Sequence, residues 1–231
     1  MLFLTYELGY RIALRQKTSP LYKGRPIESA IIGLLSLLLG FTFNQAGMSY
    51  RERLSLVHEE SDCIAHVYRL SEFLPKEDRR ELRHQMIQYL EAKTHGLSEE
   101  EAVRLHGKIY AFAMGHHHRK TMSETESLAF LQAINRMIQL HFRGSYSRNE
   151  RVPIVVIGLL VIGSWSIGLM VGFACGVNER RSWVVPVVFF LLITGTIATI
   201  RDLDDPYGGW IRVDFSNLKD LLRILQRLRT S

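Results

Sequence analysis

Apolar residues in this chain gather in long runs, and the charges lie between them, where hydrophobic and polar positions recur at helical spacing. Val184–Ile200 contains no charged residue. At about 1.5 Å of rise per residue, a helix of that length nearly crosses a hydrocarbon core of about 30 Å. Trp183 and Trp210 bracket the run, as aromatic residues do at membrane–water interfaces. Val152–Ala174 is a second uncharged run, separated from the first by Cys175–Ser182. Two such runs so close together predict a helical hairpin across a bilayer, with spans at 152–174 and 183–200. A further span is predicted over 27–47, centred on IIGLLSLLLGFTF. Glu28 is assigned to the interface at its mouth, because an ionised group at mid-bilayer costs about 3 kcal/mol or more. Residues 1–16 are too short to cross and carry Glu7. They read as an interfacial helix or as the tail of a spanning helix whose first half is missing from this chain. Lys17–Pro26 reads as a loop, because its prolines exclude a regular helix interior.

The polar stretch 48–151 has a different period. Leu54, Val57, Ile64, Val67 and Leu74 form one helical stripe; Leu82, Met86, Tyr89 and Leu90 form another after Pro75. Ser98 with Glu101, and Ser123 with Glu126, are capping boxes that open two more helices. The first carries Leu105, Ile109 and Phe112 on one face, the second Leu128, Leu131, Ile134, Ile138 and Phe142. Amphipathic helices of this kind bury one another's stripes. In 201–231, an acidic turn precedes Leu218, Leu221, Leu222, Leu225 and Leu228 interleaved with Lys219, Arg223, Arg227 and Arg229. That is a basic amphipathic helix, suited either to a headgroup layer or to docking on the middle domain. The expected fold is therefore all-α: an integral membrane helical protein with an amphipathic-helix extramembrane domain between its spans.

Composition adds little beyond this partition. Of 231 residues 47% are hydrophobic, and the net charge of +6 is too modest and too interleaved with acids to imply nucleic acid as a partner. Cys63 and Cys175 make no disulfide framework. No phosphate-binding loop, dinucleotide fingerprint, nucleophile elbow or zinc-protease motif is present, and the spans are nearly free of ionisable groups, so no enzyme is expected.

Several constellations remain as candidate chemistry. Asp202, Asp204 and Asp205, followed by Pro206 and Gly208, read as a structural helix stop or as oxygen ligands for a hard cation such as Ca2+. No cofactor is otherwise expected. His116, His117 and His118 are consecutive, so on a helix they diverge, and a solvated loop is the expectation rather than a metal site. Glu59, Asp62 and His66 share a helix face just beyond the first full span, beside Glu60, and these residues are candidates for an ion vestibule or for pairing with basic residues of other helices. Within that span, Leu35, Leu39 and Phe43 fall four apart, with Asn44 adjacent, and are candidates for a hydrophobic constriction. Ser164, Gly168, Gly172 and Gly176 form a small-residue face on which another helix backbone packs closely. Its partner is open: the adjacent hairpin helix or another subunit.

The stretches LLSLLLGFTF, Tyr50-Arg51-Glu52-Arg53, LVHEESDCIAHVYRLSEFLP, SLAFLQAINRMIQLHFR and IRDLDDPYGGWIRVD, in that order, resemble the bestrophin-like membrane family. Glu7-Leu8-Gly9-Tyr10-Arg11 is similar to the end of the family's first membrane helix, so the chain resembles an N-terminally short member. Glu60 and Ser61 fit the family pattern, whereas Asp62 stands where the family favours asparagine. The resemblance implies a multi-pass protein of the cell (inner) membrane, a homo-oligomer in the lipid bilayer, and by kinship to bestrophins an anion channel with inorganic ions as its cargo. The alternative is a non-conducting scaffold or sensor that binds partners through its helical domain. The resemblance puts that domain in the cytoplasm, while the basic loop containing Arg15, Lys17, Lys23 and Arg25 is itself pulled inward by the positive-inside rule.

Overall fold

Residues 2–16, 25–119, 122–177, 183–205, 209–211 and 214–230 are described by the structure, a computed structural model. Among these residues every regular element is a helix, without strands. The order is α1 (Leu2–Gln16), α2 (Arg25–Leu70), a 3-10 turn (Ser71–Phe73), α3 (Lys76–Thr94), α4 (Glu99–His118), α5 (Glu124–Asn149), α6 (Ile154–Val177), α7 (Val184–Asp204) and α8 (Ser216–Thr230). Pro206 and Gly208, and the loop residues 17–24, lie outside the described residues. The helix α2 begins at Arg25, so Pro26, read above as loop, lies in its first turn, where its missing N–H costs no helical hydrogen bond. It then runs unbroken for 46 residues, past the expected boundary at 47–48.

The chain divides into two compact units. The first comprises Met1–Tyr50 and Arg151–Arg212. Among the described residues, α2, α6 and α7 are long and apolar enough to cross a membrane. Leu35, Ala46, Leu160, Ile167, Ile193 and Ile200 form its buried core. The small-residue face of α6 is filled by α1. Gly168 lies against Leu2 and Thr5, Gly172 against the Tyr6 backbone, and Gly176 against Tyr10 and Ala13; Gly9 of α1 meets Leu169 and Phe173 in return. Residue numbers rise together along both helices, so α1 and α6 run parallel. A Cβ at Gly9 or Gly172 would collide with the facing backbone, which is why this contact takes glycine. Tyr6 is fully buried and packs beside Trp183 (5.7 Å between centroids) and Phe190 (6.5 Å). Hydroxyls in these helices close on the preceding turn: Thr42 donates to the Leu38 carbonyl, Ser164 to Leu160 and Thr196 to Leu192. No apolar solvent is thereby asked to solvate them.

The second unit comprises Arg51–Glu150 and Val213–Ser231. Its core joins Ile64 and Val67 of α2, Leu82, Met86 and Leu90 of α3, Ile109 of α4, and Phe130, Ile134 and Met137 of α5. Both serine caps form, and Ser123 with Glu126 makes the complete box. On α5 the buried face is Phe130, Ala133, Ile134, Met137 and Leu140, while Leu128 of the expected stripe is 48% exposed. Leu128, Leu131 and Ile134 are spaced by three residues, and each such step turns about 60° short of a full turn, so the start of the stripe drifts off the core. Leu218 and Leu225 of α8 are buried in the same core, and Gln226 donates to Glu91 of α3 at 2.8 Å, so the apolar side of the C-terminal helix is spent on the domain.

Candidate functional site

A polar group from each of α2, α3, α4 and α5 converges at one buried point of the second unit. Glu60 of α2 is 3% exposed and occupies the same register as Val57, Ile64 and Val67, a core position of its helix. The Lys93 ammonium of α3 donates to both Glu60 oxygens at 2.5 Å, and the Tyr89 hydroxyl donates to Oε1 at 2.5 Å. Lys93 Nζ also lies 3.1 Å from His141 Nδ1, and Tyr89 Oη lies 3.0 Å from the same atom. Against the Tyr89 and His141 rings packs His106 of α4, at 4.8 Å from each centroid.

Electrostatics follow from this packing. Burial alone raises the Glu60 carboxyl, but the His141 ring, the Lys93 charge and hydrogen bond, and the Tyr89 hydroxyl more than reverse it and hold the pKa at about 2. Burial lowers Lys93, against the Glu60 charge that raises it. Burial and the Glu60 charge push Tyr89 well above the ordinary phenol range. Burial, then the neighbouring His141, lower His106 to about 4. At neutral pH Glu60 is therefore a carboxylate, and Tyr89 and His106 are neutral.

One side of α2 in the first unit presents a second arrangement. Ser29, Gly33, Ser36, Gly40 and Phe43 are exposed and Gly47 half-exposed, and a Cβ at Gly33, Gly40 or Gly47 would meet nothing within 4 Å. Positions seven apart advance only about 20° on a helix, so this line stays on one face. Phe43, 44% exposed, is its bulky residue. Leu35 and Leu39, by contrast, turn toward the packed side: Leu35 is 5% exposed and covers Gly163 of α6, and Leu39 is half-buried. Asn44 is exposed.

The other predicted residues separate. Asp62 is exposed, and Glu59 pairs with Arg136 of α5 at 3.0 Å. Asp202 accepts the backbone N–H of Trp210 at 2.7 Å and of Ile211 at 2.9 Å, while Asp204 accepts that of Val152 at 2.9 Å. Their oxygens are directed to different backbone segments, and Asp205 caps the end of α7. Among the described residues no group of three His, Cys, Asp or Glu is arranged to hold a metal ion. His116–His118 belong to α4 rather than to a solvated loop, because the buried register of Ala102, Leu105, Ile109 and Ala113 continues to His116, itself 1% exposed. Lys93, His106 and His141 were not singled out by sequence, and Tyr89 was read only as a stripe residue. Their signal is a polar residue at a core position of an amphipathic helix, which resembles an ordinary stripe residue until the partner helices are in place.

An all-α chain with several helices of membrane-crossing length and a separate amphipathic-helix unit is an integral membrane protein. The family model described as Bestrophin-like domain matches residues 27–218, and the chain belongs to that family. Its fold is similar to that of a bacterial bestrophin homologue from Klebsiella pneumoniae carrying an isoleucine-to-threonine substitution, with TM-score 0.76 and 15% identity over 100% of this chain and 98% of that one. A second structure of that homologue, with an aspartate-to-alanine substitution, gives TM-score 0.78 and 13% identity over 100% and 98%. A membrane protein with a glycine-to-alanine substitution gives 0.80 and 13% over 100% and 97%. No curated protein matches the sequence.

Proposed function

We propose that the protein assembles as a homo-oligomer in the cell (inner) membrane around an ion path lined by the open face of α2. The observation that carries this reading is the line Ser29, Gly33, Ser36, Gly40, Phe43 and Gly47. A lipid-facing helix gains nothing from baring its backbone, whereas copies gathered about an axis use small residues to approach and leave a narrow passage. Phe43 is then the hydrophobic constriction. Asn44 borders it, and Asp62 is an exposed acid of the same helix. Glu60 serves the buried cluster, not the path. Membership of the Bestrophin-like family and likeness to bacterial bestrophin homologues support transport rather than enzymatic chemistry.

The test is halide and potassium flux into liposomes holding the purified protein. Ion-selective flux that rises in Phe43→Ala, with the oligomer intact by size-exclusion chromatography, supports the path and identifies its ion. Absence of flux from inserted oligomer, in wild type and Phe43→Ala alike, overturns it in favour of a non-conducting scaffold.

A further inference from the structure

Four of the five side chains in the buried cluster make close polar contacts with one another. The fifth, His106, is 3% exposed, and neither of its ring nitrogens has a hydrogen-bond partner. An imidazole carries at least one N–H in every protonation state, so α4 buries a donor with nothing to receive it. Leaving such a group unmet costs about 1–3 kcal/mol, a term absent from an apolar core. Its surroundings are rings: Tyr89 and His141 at 4.8 Å and Phe142 at 5.9 Å.

We propose that His106 is the proton-binding site of an acid-sensitive switch in the helical unit, in which a proton taken up on its ring draws Glu60 away from Lys93 and loosens α4 from its neighbours. Protonation adds a second N–H and a full charge where no acceptor faces the ring. From α2 the nearby charge is Glu60, committed to Lys93 and Tyr89. From α3 come Tyr89 and Lys93 itself, and from α5 come the His141 ring and, acting on Lys93 at longer range, Arg148. A protonated His106 therefore meets cations and a carboxylate already in use. Either the carboxylate changes partner or α4 moves its ring toward water. Both outcomes break the present packing, and interlocked cores exchange between discrete arrangements rather than deforming gradually. Burial and the His141 and Lys93 neighbours keep the packed ring neutral until about pH 4, whereas the loosened form takes up its proton near the ordinary 6.5, so acid favours loosening between these values. Glu60 is carried by α2, so the device acts on that helix directly.

The inference stands independently of ion conduction, and its readout is structural. Amide hydrogen exchange is followed in peptides of α3 and α4 in the full-length protein in lipid nanodiscs from pH 7 to pH 3.5, with exchange rates corrected for pH. In wild type, protection of α4 falls by up to about tenfold per pH unit below pH 6.5, as expected for one added proton in the loosened form. His106→Phe keeps the ring packing, cannot take a proton, and retains its α4 protection to pH 4. His106→Gln, also without a titrating ring, gives the same pH-independence should the phenylalanine variant fail to fold. Unchanged wild-type protection down to pH 4, or a loss at the same pH in the non-titrating variants, overturns the switch.

Discussion

The Lys93 ammonium sits 2.5 Å from both carboxylate oxygens of Glu60, and the two side chains are only 6% and 3% exposed. A pair this dry gains strongly from mutual attraction but has given up two hydration shells, so its net worth is small while the cost of breaking it is large. Glu60→Gln and Lys93→Met singly should each lower unfolding stability by about 3–5 kcal/mol, because each strands a buried charge. The double variant should recover most of that loss. Thermal unfolding of all four forms closes the double-mutant cycle, and additive losses would rule out the coupling.

Acid should weaken the helical unit in two steps. The folded pKa of His106 lies at about 4 against an ordinary 6.5, so between these values the unfolded chain binds the extra proton. Stability from a neutral His106 is therefore complete above pH 6.5 and is lost as pH falls to about 4. Glu60 is held at about 2 against 4.5, so its contribution is complete above pH 4.5 and is lost on acidification toward 2. Melting temperature against pH should show the upper step vanish in His106→Phe and the lower step vanish in Glu60→Gln.

Gly172→Ala should separate α1 from α6, because the added Cβ meets the Tyr6 carbonyl and backbone cannot step aside as a flexible side chain can. A cost of about 1–3 kcal/mol is expected from such overpacking. Gly33→Ala, whose Cβ meets open space, should leave the protomer's stability unchanged and report on α2 packing between copies through the oligomer's size. Equal melting temperatures for Gly172→Ala and wild type would refute the close contact.

Arg53 is 3% exposed and donates to the carbonyls of Ser147 at 3.1 Å and Glu150 at 2.9 Å, closing the C-terminal end of α5. Arg53→Met should cost about 2–3 kcal/mol by orphaning those acceptors. Arg53→Lys should restore only part of it, since one ammonium lacks the planar fork that reaches both. Chemical denaturation with a common slope would measure the difference.

Asp202→Ala should free the turn at 209–211, because both carboxylate oxygens hold its backbone N–H groups. Gly209→Ala should do the same from the other side, as its Cβ would strike the Asp202 carboxyl. Limited proteolysis near Trp210 should quicken in both, and calcium should not slow it; calcium-dependent protection in wild type would restore the ion-binding reading of this turn.

The sequence alone determined that the protein is helical and membrane-embedded, because uncharged runs such as Val184–Ile200 have few stable homes other than lipid, and capping serines mark helix starts locally. It also exposed the small-residue face of α6, since backbone approach needs small residues at four-residue steps. Tertiary structure decided what met that face, α1 in parallel, because periodicity describes one helix and not its partner. It likewise decided which side of α2 stays open: Leu35, Leu39 and Phe43 look collinear in sequence, but helical drift carries Leu35 into the packing and leaves Phe43 exposed. The cluster of Glu60, Lys93, Tyr89, His106 and His141 was least legible. Its members lie on four helices and up to 81 residues apart (Glu60 to His141), and only burial distinguishes them from the solvated charges around them.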